Sequence, residues 1–487
     1  MTASSEGRTP SSPGTVPARP ARPRFADAAR APLNDTRLRR GLRGAAGAAR
    51  EHRSRAVAEL PDWEELREAG RAIRDGALLN LDTHLEELER AVTEAGGTVH
   101  WAADAAAARR VVTGLVRATG GTGVLRARSA TLHEIGLDDA LAAAGITVHR
   151  TALAELVARL AGEPPADTVH RGRAELRDLF LRAMPGVPPD LSDDPGSLAA
   201  AVRAHLRDRF LTARVAVCGA NFLVAETGTP VVLESEGNAR MCLTLPDTLV
   251  CVAGIDKTVP TWQDLEVLLQ LLPRAAGARM TPAVSTWSGV TPGDGPRDFH
   301  LVLLDNGRTA ALADEVGRSA LRCVQCSACR SVCPVYERVG DAPYGAPHTG
   351  PIGAILTPQL RGVAAAATAS LPFASTLCGR CADVCPVKID IPEVLVHLRG
   401  RVVEARRHRP VPTPELAMMR AVAWAMGDRR RYETALRRGA RWGRLLARGG
   451  RIRRLPGLLG RWTEARDLPA PPARAFRDWW RAREEGR

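Results

Sequence analysis

The feature that most constrains this chain is the run Cys323-x2-Cys326-x2-Cys329-x3-Cys333-Pro334. Three thiolates at three-residue intervals in a turn can wrap three corners of one cubane cluster. The fourth, displaced by one residue and turned by the proline, points toward a different cluster. A second run, Cys378-x2-Cys381-x3-Cys385-Pro386, repeats the later part of that pattern 52 residues on, with Ser375 at the place of the missing leading cysteine. Each run should then lend its last cysteine to the other's cluster. On that rule Cys323, Cys326, Cys329 and Cys385 hold cluster one, while Cys333, Cys378 and Cys381 hold cluster two. Three thiolates leave either a fourth iron held by the Ser375 hydroxyl, another side chain or water, or a three-iron cluster. The expectation is two [4Fe-4S] clusters, the second with a labile iron. Zinc also favours paired Cys-x2-Cys, but its sites close at four ligands in two separated pairs and give no reason for the longer run.

Cys218, Cys242 and Cys251 are isolated in apolar or strand-like sequence, and the other seven of the ten cysteines fall between 323 and 385. Clustered thiols without an export signal suggest metal binding in a reducing compartment, the cytoplasm. No stretch approaches the roughly 20 uncharged apolar residues of a membrane-spanning helix, so a soluble chain without a membrane span is expected. Residues 1–35 carry Pro10, Pro13, Pro17, Pro20 and Pro23 among Ser, Ala and Arg and read as a disordered extension. The formal charge of +14 sits at the other end: residues 401–487 hold 23 Arg against 9 Asp or Glu.

Between these ends the hydrophobic pattern alternates. Leu60, Trp63 and Leu66 predict helices within 36–80 that lie against a following domain. Thr83 and Glu86 have capping-box spacing, Leu85, Leu88 and Val92 share one face, and Gly96-Gly97 ends the pattern, predicting a helix over 83–95. Short strand-like runs (98–101, 124–125, 146–149) then alternate with helical ones, an order that builds a mainly parallel sheet covered on both faces. Val215 to Cys218, Val231 to Glu234, Leu249 to Val252 and Phe299 to Leu304 read as further strands. The fold class is therefore α/β over 36–310, with a helical lead-in. Residues 312–400 form the ferredoxin-like two-cluster module, expected to be held together by its clusters more than by apolar side chains. Residues 401–487 are a basic, helical segment with five of the nine Trp: Trp424, Trp442, Trp462, Trp479 and Trp480.

Such clusters pass single electrons at potentials tuned by hydrogen bonds and burial. An electron carrier, fed by a flavin or another cluster protein, is the role expected. Two other classes stay open: an enzyme acting through the α/β domain with the clusters as accessory wiring, and a cluster-based redox sensor. No DNA-binding motif supports the sensor, and nucleic acid is not an expected partner. The chain lacks Gly-x-Gly-x-x-Gly, so a nicotinamide site has no support. Gly219 to Thr229 and Glu236 to Arg240 stand out in the α/β domain, because Gly and Asn at strand ends permit close backbone approach. Glu226 with Arg240 could bind a polar ligand, or the same residues could be loop chemistry with a surface ion pair. His300 and His348, which flank the first cysteine run, read as structural or surface residues. The basic tail suits a redox partner with an acidic face.

From about residue 55 nearly to its end the chain resembles the lactate utilization protein B family. The resemblance rests on Leu60-Pro61-Asp62-Trp63, Gly219 to Thr229, Glu236 to Arg240, Gly254-Ile255-Asp256-Lys257, His300 to Arg308, both cysteine runs, Gly350-Pro351-Ile352-Gly353 and Ala475 to Trp480. It implies an N-terminal lactate-utilisation domain similar in fold to ribose-phosphate isomerases and CoA transferases, followed by a two-cluster module. It also implies partner subunits, one rich in cysteine and one a lone lactate-utilisation domain, which together convert L-lactate to pyruvate. The chain departs from the family at Arg126-Ala127-Arg128-Ser129, where Lys-Ser-Lys-Ser is usual. It departs again at Arg150 to Glu155, where Glu-Thr-Asp-Leu-Gly-Glu is usual. Two acids are lost and a base gained there, which predicts an altered anion or metal site.

Overall fold

Short apolar runs, some of them next to a glycine, become the strands. In the computed structural model, which describes residues 22–162, 171–280, 283–407, 414–464 and 466–485, ten of them belong to the α/β region. They are β1 (Thr98–Ala102), β2 (Gly123–Arg126), β3 (Thr147–Arg150), β4 (Val215–Cys218), β5 (Phe222–Val224), β6 (Thr229–Glu234), β7 (Thr248–Gly254), β8 (Thr258–Val259), β9 (Ala283–Thr286) and β10 (Asp298–Leu304). Six form one sheet in the order β1-β10-β7-β4-β2-β3, every neighbour parallel. Alternate residues point to opposite faces. Ala216, Cys218, Leu249, Cys251, Leu301 and Leu303 enter one core, and Val215, Val217, Val250, Val252, Val302 and Leu304 another. The parallel α/β expectation holds.

The order of this sheet has a consequence at its C-terminal edge. The chain leaves β2 outward to β3, but leaves β4 in the opposite direction to β7. The crevice beyond the ends of β2 and β4 is therefore a topological switch point, the place where open α/β sheets bind ligands. A smaller sheet, β8-β5-β6-β9, carries the β5–β6 hairpin.

The lead-in is helical as expected, with helices Thr36–Ala58 and Trp63–Leu79. The helix predicted over 83–95 spans Leu81–Glu94 and has no side-chain cap, so the Thr83/Glu86 box does not form. Burial of Leu81 with Leu85 and Leu88 sets its start instead. Of the extension expected to be disordered, 1–21 lie outside the described residues. The remainder carries the short helices Phe25–Ala28 and Arg30–Asn34, and Phe25 is buried edge-on to Tyr344 at 5.0 Å between ring centroids.

The cysteine module departs from its expectation. It shares an apolar core with the smaller sheet and the helix Trp262–Ala276, in which Val224, Val259, Leu268 and Leu271 meet Ala320, Ile355, Leu395 and Leu398. Apolar packing therefore holds this region alongside its thiols. Periodicity missed it because the helix Gly350–Arg361 is buried nearly all round, and such a helix shows no polar face.

The chain divides into two compact units, Met1–Val402 and Val403–Arg487. The boundary expected at 400/401 falls inside the helix Ile391–Arg407, whose Leu398 and Val402 are buried. Within the second unit, helices Pro414–Met426, Arg429–Leu446 and Phe476–Glu485 accompany a small antiparallel pairing of Arg451–Ile452 with Leu468–Pro469. Glu433 pairs with Arg429 and Arg481, and Arg437 pairs with Asp478 at 2.7 Å. All five of its Trp side chains are exposed. Among the described residues no helix is long and apolar enough to cross a membrane.

Candidate iron–sulfur centre

The two cysteine runs fold alike. Ser327 and Gly379 take left-handed backbone conformations, with φ of 65° and 81°, and open the one-turn helices Ala328–Ser331 and Arg380–Asp383. Two residues upstream, Gln325 and Leu377 are left-handed too, with φ of 59° and 55°. A non-glycine residue held there costs about 1–3 kcal/mol, so the surroundings must enforce it. The result is that backbone N–H groups turn inward. Gln325 N–H donates to Cys323 Sγ at 3.3 Å, and Leu377 N–H donates to Ser375 Oγ at 3.1 Å. Ser375 thus stands in the second run where Cys323 stands in the first. Further N–H donors face the other thiols: Ala328 at Cys326, Ile352 at Cys329, Tyr336 at Cys333, Arg380 at Cys378, Ala382 at Cys381 and Ile389 at Cys385.

The seven thiols fall into two groups. Cys323, Cys326, Cys329 and Cys385 lie close enough to disfavour one another's ionisation, and so do Cys333, Cys378 and Cys381. The last cysteine of each run sits with the other run. Burial pushes Cys323 up to about 11 and Cys326 and Cys381 up to about 12. The exposed Cys378 is lowered instead, first by the Arg380 N–H and then by the Thr376 hydroxyl. Buried thiols of this kind ionise when a metal bonds them, and inward N–H groups suit the resulting sulfur charge. The donor set fits iron–sulfur clusters.

Cations surround the first group. Lys257 Nζ donates to the Cys323 carbonyl at 3.1 Å, Arg74 to the Leu321 carbonyl at 3.1 Å and Arg67 to the Cys385 carbonyl at 3.0 Å. Behind them lies a buried ion network that the sequence reading did not assemble. Arg308 bridges Glu134, at 3.0 Å, and Asp256, which also pairs with Lys257 at 2.9 Å. His348 Nε2 is 3.2 Å from Glu134. Burial by itself would raise both carboxyls, but Arg308, with His348 at Glu134 and Lys257 at Asp256, holds each well below the usual carboxylate range. Gly254 makes room for the network, since a Cβ there would lie 2.3 Å from Arg308 Nε. The runs Gly254 to Lys257 and His300 to Arg308 were visible as motifs; their meeting was not. His300 instead pairs with His100 at 3.2 Å across adjacent strands.

A cavity of about 420 Å³ adjoins the first thiol group. Cys323, Cys326, Cys329 and Cys385 line it, together with Arg128 to Thr131 after β2, Gly219 to Asn221 after β4, and Glu234, Glu236 and Asn238. Gly219 permits this closeness, because a Cβ there would lie 2.2 Å from Ser129 Oγ. The pairing of Glu226 with Arg240 does not form. Neither lines the cavity; Glu226 accepts from the Trp262 N–H at 2.7 Å at the start of the helix Trp262–Ala276. At the sites of family departure, Arg126 pairs with Glu155 and Asp138, and Arg150 also pairs with Asp138 at 2.8 Å.

Three stretches of the chain match family descriptions: a LUD domain over residues 85–304, a 4Fe-4S dicluster domain over 319–389, and the C-terminal region of lactate utilisation protein B over 399–485. Lactate utilization protein B of Oceanobacillus iheyensis is 37% identical over 457 residues, covering 92% of this chain and 94% of that protein. The protein of the same name from Lysinibacillus sphaericus is 37% identical over 472 residues, covering 95% of this chain and 98% of that one. A solved structure of a DUF162 family protein from Deinococcus radiodurans covers 46% of this chain and 98% of its own, at 16% identity and a TM-score of 0.26. With its α/β domain, its dicluster module and relatives aligned along nearly its whole length, the chain belongs to the lactate utilization protein B family.

Proposed function

We propose that this chain is the iron–sulfur electron-transfer subunit of a complex that oxidises L-lactate to pyruvate. In this reading Cys323, Cys326, Cys329 and Cys385 ligate one [4Fe-4S] cluster. Cys333, Cys378 and Cys381 ligate the second, with Ser375 at its fourth corner. The observation that carries the reading is the exchange of last cysteines between two runs of matching backbone. Bound clusters supply single-electron transfer. The chain's own residues hold the thiols in place, aim N–H groups at the sulfurs, and set Lys257, Arg74 and Arg67 around the first group. The names of the relatives support a place in lactate utilisation. A cysteine-rich subunit and a lone lactate-utilisation domain are the partners proposed, with the cytoplasm as the compartment. The α/β domain is proposed to share the fold of ribose-phosphate isomerases and CoA transferases.

The purified chain, assayed anaerobically with L-lactate and an artificial acceptor, should contain iron and sulfide for two clusters and show no turnover until partner subunits are added. Turnover by the chain alone would favour an enzyme acting through the α/β domain. The Arg- and Trp-bearing second unit is proposed to dock on an acidic partner face. Binding to the partner subunits should weaken steeply as salt rises, because charges beyond about 8 Å are largely screened at 0.15 M. Removing residues 408–487 should abolish assembly and leave both clusters in place; unchanged assembly would reduce the Arg surplus to a solubility feature.

A further inference from the structure

We propose that Arg74 and Lys257 set the reduction potential of cluster one, through a surplus positive charge that the buried network behind the first cysteine run directs at it. The inference rests on the cluster assignment above and concerns what the chain's own residues do to that cluster. The charged side chains of the network are Arg74, Lys257 and Arg308 with Glu134 and Asp256, and all are buried. Three cations meet two carboxylates there, before any charge on His348, so one positive charge is left over.

The pairings show where that surplus lies. Arg308 takes Glu134 at 3.0 Å and shares Asp256 with Lys257, which stands 2.9 Å from it. Arg74 donates to the carbonyl oxygens of Thr258 at 2.8 Å, of Leu321 at 3.1 Å and of Asp256, and to no carboxylate among the described residues. The neighbouring Asp75 is taken up by Arg322 at 2.5 Å and Arg71 at 3.2 Å. A buried cation that lacks a carboxylate is costly unless another negative charge faces it. The first thiol group becomes that charge once its sulfurs are bonded to iron. Lys257 reaches the Cys323 carbonyl at 3.1 Å, and Arg74 holds the carbonyl two residues before Cys323. Burial raises the Cys323 thiol, and Lys257 is the strongest influence against it. Burial also lowers Arg74, which Asp256 and then Cys323 act to restore. Arg53 adds a partly exposed cation near Cys326 and Cys385, whereas Arg67 is paired with Glu64 at 2.7 Å. At Cys333 and Cys378 the acting cation is Arg380, which is exposed. Reduction adds one electron to cluster one, with no bond made or broken, and so adds negative charge beside buried cations. Their attraction is stronger in the reduced state, which draws the potential up.

The test is a mediated dithionite titration of the full-length, cluster-loaded protein under argon, followed by electron paramagnetic resonance that reads each cluster separately. Lys257→Gln keeps an N–H for the Cys323 carbonyl and loses the charge. It should lower the electron affinity of cluster one about tenfold or more, a fall of roughly 59 mV or more for a one-electron couple. Arg74→Gln should act in the same direction, Lys257→Arg should restore most of the parent value, and Asp256→Asn should shift the potential upward. Cluster two is the internal control and should stay in place. Opposite shifts on removing a cation and an anion are a signature that packing damage does not produce. An unmoved cluster-one potential in Lys257→Gln, an unmoved or lowered one in Asp256→Asn, or an equal shift of cluster two would overturn the proposal. Should Lys257→Gln fail to hold cluster one, the sign of the Asp256→Asn shift decides. In the parent protein, raising the ionic strength should move cluster one less than cluster two, because buried charges are little screened; the reverse would also overturn it. Iron and sulfide analysis of the parent separates these outcomes from failure of the cluster reading, which would show as missing clusters.

Discussion

The two cysteine runs are one backbone used twice in different surroundings. Both set left-handed residues before a one-turn helix, and both end in Cys-Pro. The first begins with a cysteine, is ringed by Lys257, Arg74 and Arg67, and faces the α/β cavity. The second begins with Ser375, and its Cys378 is exposed. Local sequence therefore repeats the turn, while the packing around it makes one site enclosed and the other open. Chemistry should follow that difference: the enclosed site suits exchange with the α/β domain, and the open site suits an outside partner.

The largest expected effect tests which residues belong to which site. Cys385→Ala lies in the second run yet should remove cluster one, and Cys333→Ala lies in the first yet should remove cluster two. Each should lose about half of the iron, with the other cluster's paramagnetic signal retained. Loss of cluster one from Cys333→Ala, with cluster two spared, would break the comparison.

A smaller effect concerns the network behind the first site. Arg308→Met removes the cation shared by Glu134 and Asp256, leaving Glu134 with His348 and Asp256 with Lys257. It should destabilise the protein by about 3 kcal/mol or more, read by thermal unfolding, and loosen cluster one before cluster two. The pH dependence follows from the depressed carboxyls. A folded-state value below the unfolded one contributes stability that is present above the unfolded value, near 4 for a carboxyl, and is lost as pH falls through the folded value. The gap between parent and variant should thus be widest near neutrality and shrink as pH falls below about 4. A gap independent of pH would assign the loss to packing alone.

The smallest effect concerns the missing cysteine. Brief air exposure should convert the second cluster of the parent to a three-iron form, visible by electron paramagnetic resonance. Ser375→Cys should suppress that signal and leave cluster one untouched. Equal oxygen resistance of both clusters in the parent would mean that Ser375, or a group near it, binds iron as firmly as a thiolate.

Much of this was legible in the sequence, for a physical reason. Thiol spacing and the Cys-Pro turn act over a few residues, where covalent geometry decides. Strand periodicity likewise marked Val215–Cys218 to the residue and the rest of the six-stranded sheet, with β6, to within a few residues, but it missed β5, β8 and β9 of the smaller sheet, which are too short to show a period. The core of the cysteine module was not legible, because the helix Gly350–Arg361 is buried on nearly all sides and carries no amphipathic signal. Nor was Phe25, a single aromatic in a Pro- and Arg-rich stretch whose role depends on Tyr344.

The sequence by itself determined the cluster chemistry and the α/β class. Only the tertiary structure decided what stands beside the clusters. Arg308 meets Glu134 across 174 residues and Arg74 reaches the Leu321 carbonyl across 247, meetings that sheet order and helix packing create and no local pattern encodes. The same order sets the loops after β2 and β4 side by side and turns both toward the thiols, so that Arg128 and Cys323 line one cavity.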